Sequence, residues 1–200
     1  MPAAPMLIPE LAEAAPPRKR FTREEFERLT ESGVFAGQRL ELIDGDLIDK
    51  MGQNPPHAYA IQLLQEWLAS FLGMAVIRVQ LPMQASGKDS DRSLPEPDIA
   101  VLRERKLEHG KRHPRGDEML LVIEIADTTA AFDRTRKAAL YSNSGVPEYW
   151  VLDLNRRVLI AHREPGDAEY GLIQTYSAQD SISFPGRTES IPVADLLPPA

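Results

Sequence analysis

One stretch restricts the fold more than any other. The apolar run Met119-Leu120-Leu121-Val122-Ile123-Glu124-Ile125 is followed by a segment of helical spacing from about 131 to 143, and then by Tyr149-Trp150-Val151-Leu152. A run without polar alternation suits a strand buried on both faces, and Gly145 with Pro147 stops the helix before the next strand begins. Strand, helix, strand in that order predicts a right-handed βαβ crossover with both strands in one sheet. The chain should therefore fold as α/β material around a mixed sheet.

Shorter signals fill in the rest. Thr22 with Glu25 three residues later is a capping-box pattern, opening a helix whose apolar side is Phe26 and Leu29. Asp44-Gly45, between Leu40-Glu41-Leu42-Ile43 and Asp46-Leu47-Ile48, predicts a tight hairpin. Ile61, Leu64, Leu68 and Phe71 recur at helical spacing between His57 and Leu72, and Gly73 ends that helix. Strands are expected at 75–81 and 98–102, with a polar loop over 86–93 between them. Val158 to His162, Tyr170 to Thr175 and Ser181 to Phe184 predict an antiparallel extension. Residues 1–20, with five prolines among alanines, are expected to form a mobile leader, and 21–200 a single domain.

Composition excludes several classes. The absence of cysteine removes disulfides, thiolate zinc sites and cysteine nucleophiles, and suits a cytoplasmic protein. No apolar run reaches the ~20 residues that span a bilayer, and the proline-broken start lacks the basic region of a secretory signal. A net charge of −7 opposes broad attraction to nucleic acid, although the basic residues Arg103, Arg105, Lys106, Lys111, Arg112 and Arg115 could form a groove beside the site, or simply a solvated loop. His109, His113 and His162 have no paired metal-ligand spacing, and no Gly-rich phosphate loop or GxSxG elbow is present. His57 could cap its helix or face the cleft.

Chemistry concentrates in three blocks: Pro95-Glu96-Pro97-Asp98, Val122-Ile123-Glu124-Ile125, and Asp133-Arg134-Thr135-Arg136-Lys137. Asp98 and Glu124 at the ends of apolar runs could share a hard cation, provided the fold brings their strands together. An acid inside the Leu120 to Ile125 run is costly to bury and invites a cationic partner. Lys137 either pairs with Asp133 on the helix surface or sends its ammonium to the site.

These blocks, with Glu41-Leu42-Ile43-Asp44-Gly45 before them and Gly145-Val146-Pro147-Glu148-Tyr149-Trp150-Val151-Leu152-Asp153 after, closely resemble the Uma-type restriction endonuclease family of the PD-(D/E)XK nuclease superfamily, over roughly 21–163. The resemblance implies a restriction-endonuclease-like core and a Mg2+-dependent endonuclease acting on DNA, with Mn2+ as a substitute ion. It matches Asp98 to the motif aspartate, Glu124 to the second acid, Lys137 to a helix-borne lysine and Glu41 to a further acid. Glu41 could equally be an outward strand residue. The usual lysine position two residues after the second acid holds Ala126, and Asp127 reads as either an extra ligand or the cap of the next helix, the cap being preferred. A homodimer is expected, since two copies of a small single-site protein most simply cut both strands of a duplex. The competing expectation is a non-catalytic module that keeps the nuclease fold and binds nucleic acid or protein in its acidic cleft.

Overall fold

A computed structural model describes residues 18–50 and 54–199. The element order is α1 (Arg23–Glu31), β1 (Leu40–Ile43), β2 (Asp46–Asp49), α2 (Pro55–Leu72), β3 (Ile77–Val79), β4 (Ile99–Leu102), β5 (Met119–Ala126), α3, β6 (Glu148–Asp153), β7 (Val158–Pro165), β8 (Tyr170–Ser177), β9 (Ser181–Ser183) and β10 (Ser190–Pro192). Helix α3 changes pitch along its length: Ala130–Phe132 is α-helical, Asp133–Lys137 is a π-turn, and Ala138–Asn143 is α-helical again.

The central sheet has six strands in the order β3-β4-β5-β6-β7-β8. Only β5 and β6 are parallel, and they are the pair joined through α3, as the βαβ reading requires. The other neighbours are antiparallel, so the mixed sheet follows from one crossover set among hairpins.

Alternation along β5 sorts the two faces. Leu121, Ile123 and Ile125 pack with Ala60, Ile61, Leu64 and Leu68 of α2, together with Trp150, while Val122 and Ala126 pack with Ala138 and Tyr141 of α3, together with Tyr149. Glu124 shares the parity of the second set, so its side chain belongs to the α3 face. The adjacent aromatics Tyr149 and Trp150 are both fully buried, on opposite faces.

The hairpin turn forms as its sequence dictates. Asp44 and Gly45 both have positive φ, 49° and 78°, the requirement of a type I′ connection. This hairpin is a separate two-stranded sheet, tied to the chain before β4 through a Leu42–Leu94 bridge. Helix α2 starts at Pro55, capped by the Asn54 side chain, because a first-turn proline sacrifices no helical donor.

Several expectations need correction. Residues 74–76 form a 3-10 turn, leaving β3 only Ile77–Val79. Strand β9 pairs with β10 in a small sheet of its own and does not extend the central one. The 103–118 segment does not lie beside Asp98 and Glu124. In the antiparallel β4–β5 hairpin it joins the Leu102 and Met119 ends, whereas the two acids lie at the opposite ends of these strands. The leader assigned to 1–20 falls mostly outside the described residues, but Lys19 pairs with Glu25 and Arg20 with Asp46. Among the described residues, no helix is long and apolar enough to cross a membrane.

Candidate functional site

The β4–β5 register brings the two acids of the sequence motifs together. One step beyond the Ile99–Ile123 pair, Asp98 comes opposite Glu124, and its Oδ2 accepts the Ile125 amide at 2.9 Å. The hairpin adds Glu41 from β1, whose Oε2 accepts the Glu96 amide at 3.1 Å. Glu41, Asp98, Glu124 and Lys137 are all buried, at 3 % exposure each, yet all four line one cavity of about 250 Å³.

Lys137 is not a surface partner of Asp133. Its ammonium lies 2.8 Å from Glu41 Oε1 and 2.9 Å from Glu124 Oε1, with Asp133 Oδ1 farther off at 4.0 Å. Tyr141, one turn on, donates to the same Glu124 oxygen at 2.6 Å. The π-turn bears on this convergence, because its wider pitch changes the angular relation of Asp133, Lys137 and the α-helical turn that carries Tyr141. No feature of the sequence announced it.

Opposing effects set the electrostatics. Burial pushes Glu124 up from the carboxylate range, against the pull of the Lys137 charge. Burial pulls Lys137 down, but Glu124, Glu41 and Asp133 more than offset it and hold the ammonium charged. Asp98 behaves oppositely to Glu124: burial would raise it, but a hydrogen bond from His57, the charges of Lys50 and His57, and the Ile125 amide hold it well below the ordinary carboxylate range. Two nearby buried carboxylates thus differ because donors and cations outweigh burial at Asp98, whereas burial outweighs the Lys137 charge at Glu124.

Three further residues join the site. His57 Nε2 lies 3.2 Å from Asp98 Oδ2, while its buried Nδ1 has no protein partner, so the cleft-facing alternative holds. Lys50 Nζ lies 3.6 Å from Asp98 Oδ1, and Gln80 donates to the same oxygen at 3.4 Å. Only the position of His57 after the two prolines had hinted at any of them. Asp127 lines the cavity but does not cap α3; it accepts from Asn54 at 2.5 Å and from Asn155 at 3.0 Å.

The donors open to a cation are mainly carboxylate oxygens, with the unpartnered His57 Nδ1 as the one nitrogen among the described residues that line the cavity. Among the described residues no protein donor reaches Glu124 Oε2, and Asp98 stands across the strand pair from it. A carboxylate-dominated set without thiolates fits Mg2+ or Mn2+ and not a soft metal. The acids have not closed on a common point, since Lys137 sits between Glu41 and Glu124. Among the described residues, three ligand atoms lie within 4.8 Å of one another only at Glu108, His109 and Glu118. That group lies in the 103–118 loop, where Arg112 and Lys106 already occupy the Glu118 carboxylate. A metal there would have to displace both cations.

Comparison with known proteins bears on the family and the fold. The family model of Uma2, described as "Putative restriction endonuclease", matches residues 23–192. A solved structure of a "putative nuclease belonging to DUF820" from Anabaena variabilis ATCC 29413 is similar with a TM-score of 0.63 and 15% identity, covering 88% of this chain and 97% of the other. At that identity the likeness shows the fold. No curated protein matches the chain. With 170 consecutive positions spanned by the match, the chain belongs to the Uma2 family of restriction endonuclease-like proteins.

Proposed function

We propose that this chain is a metal-dependent endonuclease that hydrolyses phosphodiester bonds in DNA. The observation that carries the reading is the placement of Asp98 opposite Glu124 across β4 and β5, with Lys137 joined to Glu124 in the same cavity. Asp98 and Glu124 would hold Mg2+ or Mn2+, and Glu41 would assist once Lys137 moves off it. Such an ion would supply Lewis-acid polarisation of the phosphoryl oxygen and activation of water. The residues themselves supply orientation and charge. His57 and the Ile125 amide fix the Asp98 carboxylate, Tyr141 fixes Glu124, and the Lys137 ammonium stabilises negative charge on the phosphoryl oxygens while orienting the attacking water.

A panel of supercoiled, linear and single-stranded DNA, with RNA as a control, tests this under titration with Mg2+ and Mn2+. Nicking or linearisation of DNA that chelator stops is the expected outcome. Binding without cleavage at any ion concentration would instead support a non-catalytic module.

A homodimer belongs to the same reading. The outer edge of β8 is the natural seat for a second copy: Tyr170–Ser177 holds no proline and no charged side chain, and Leu172 and Ile173 are exposed. Edges usually carry such protection when they stay single. Sedimentation should show a dimer at micromolar concentration that Ile173→Lys dissociates; a wild-type monomer with and without DNA would contradict the pairing.

A further inference from the structure

The cavity is poorly charged for receiving a polyanion. Among the described residues, Glu41, Asp49, Asp98, Glu124, Asp127 and Asp133 line it against only Arg39, Lys50 and Lys137, in a chain whose net charge is −7. A nucleic-acid phosphate approaching this surface needs fixed cations at the mouth. Lys137 cannot serve there, being buried and engaged by Glu41 and Glu124. Of the lining cations, Arg39 and Lys50 remain.

The hairpin sets these two side by side. Arg39 precedes β1 and Lys50 follows β2, and the Lys50 amide donates to the Arg39 carbonyl at 2.8 Å. Both side chains converge on a single atom, Glu96 Oε1, with Arg39 Nη2 at 2.9 Å and Lys50 Nζ at 3.8 Å. Lys50 also donates to the Glu96 carbonyl oxygen and lies near Asp98. The Arg39 side chain is 42% exposed and that of Lys50 12%, so the pair runs from solvent inward to the site's acid. A guanidinium beside an ammonium, meeting at one anionic oxygen, is the arrangement a phosphate would select.

We propose that Arg39 and Lys50 form a clamp for a backbone phosphate of the nucleic acid next to the cleavage site, and that the Glu96 carboxylate occupies this clamp as an internal anion until substrate displaces it. The inference rests on the phosphodiester-cleaving reading above. It gives Glu96 a sign opposite to its neighbours: the two cations favour substrate, and the acid between them competes with it.

Fluorescence anisotropy on a ~30-base-pair DNA duplex, over a salt series with Ca2+ replacing Mg2+, separates these roles, while thermal melting follows the fold of each variant. Arg39→Ala and Lys50→Ala should each weaken binding about tenfold and lower the slope of log K against log salt by about one unit, the signature of one lost phosphate contact. Glu96→Gln should tighten binding about three- to tenfold, a gain that damage to the fold cannot produce. Unchanged affinity and slope in both cation variants, or no tightening in Glu96→Gln, overturns the clamp while wild-type cleavage leaves the nuclease reading standing. A wild type that neither binds nor cuts DNA or RNA overturns both.

Discussion

Lys137→Ala is expected to lower the stability of the cation-free protein by roughly 3–5 kcal/mol, the usual cost of removing one partner from a buried ion pair. It should also make that stability respond more strongly to Mg2+ or Mn2+ than the wild type does. Both effects have one cause. The ammonium holds Glu41 and Glu124 together at 2.8 and 2.9 Å, and without it two buried carboxylates face one another uncompensated. A divalent ion can replace that charge, so the variant gains more from the ion and binds it more tightly. Turnover should nevertheless fall by about two to three orders of magnitude, since the ion cannot also stand in for the electrostatic stabiliser. Lys137→Arg should restore little, because a planar guanidinium does not fit where a compact ammonium meets two carboxylates. Chemical denaturation with and without Mn2+ checks the stability effect. A Lys137→Ala protein as stable as wild type, with unchanged turnover, would make the lysine a bystander.

Asp98→Asn and Glu124→Gln should have the second large effect, with cleavage lost by on the order of 10³-fold or more as the two proposed ligands lose their charge. These substitutions keep size and much of the hydrogen bonding. Asparagine can still accept the Ile125 amide, and glutamine can still accept from Tyr141. Glu124→Gln should cost the fold less than Lys137→Ala, because the Lys137 ammonium keeps Glu41 as a charged partner when Glu124 is neutralised. Asp98→Asn should cost more stability, as it abandons a carboxylate held charged by His57, Lys50 and the Ile125 amide. Calorimetric titration with Mn2+ and denaturation of both variants distinguish the two; equal metal affinity in wild type and Glu124→Gln would remove Glu124 from the ligand set.

Much of this was legible in the sequence because it rests on local codes. The apolar Leu120 to Ile125 run, the Asp44-Gly45 turn and the Thr22–Glu25 box each report on a few neighbouring residues, and each forms as read. The family blocks supplied Asp98, Glu124, Lys137 and Glu41, which share one cavity. What could not be read depends on long-range geometry. The basic 103–118 loop is near Asp98 in the chain but far from it in the sheet, because an antiparallel hairpin separates its turn from its open ends. Asp127 has the spacing of a helix cap, yet Asn54 and Asn155 claim it from distant segments. The π-turn at Asp133–Lys137 alters a register that simple helical periodicity treats as uniform. Arg39, Lys50 and Glu96 meet only because the hairpin folds over the chain leading into β4.

The role of Glu124 in metal-dependent cleavage is tested most directly by cleavage of supercoiled DNA by wild type and Glu124→Gln, side by side in Mg2+ and in chelator. Wild type is expected to give nicked and linear product with the ion and none in chelator, and Glu124→Gln to give none under either condition. Cleavage that persists in chelator, or that Glu124→Gln performs as fast as wild type, would contradict that role.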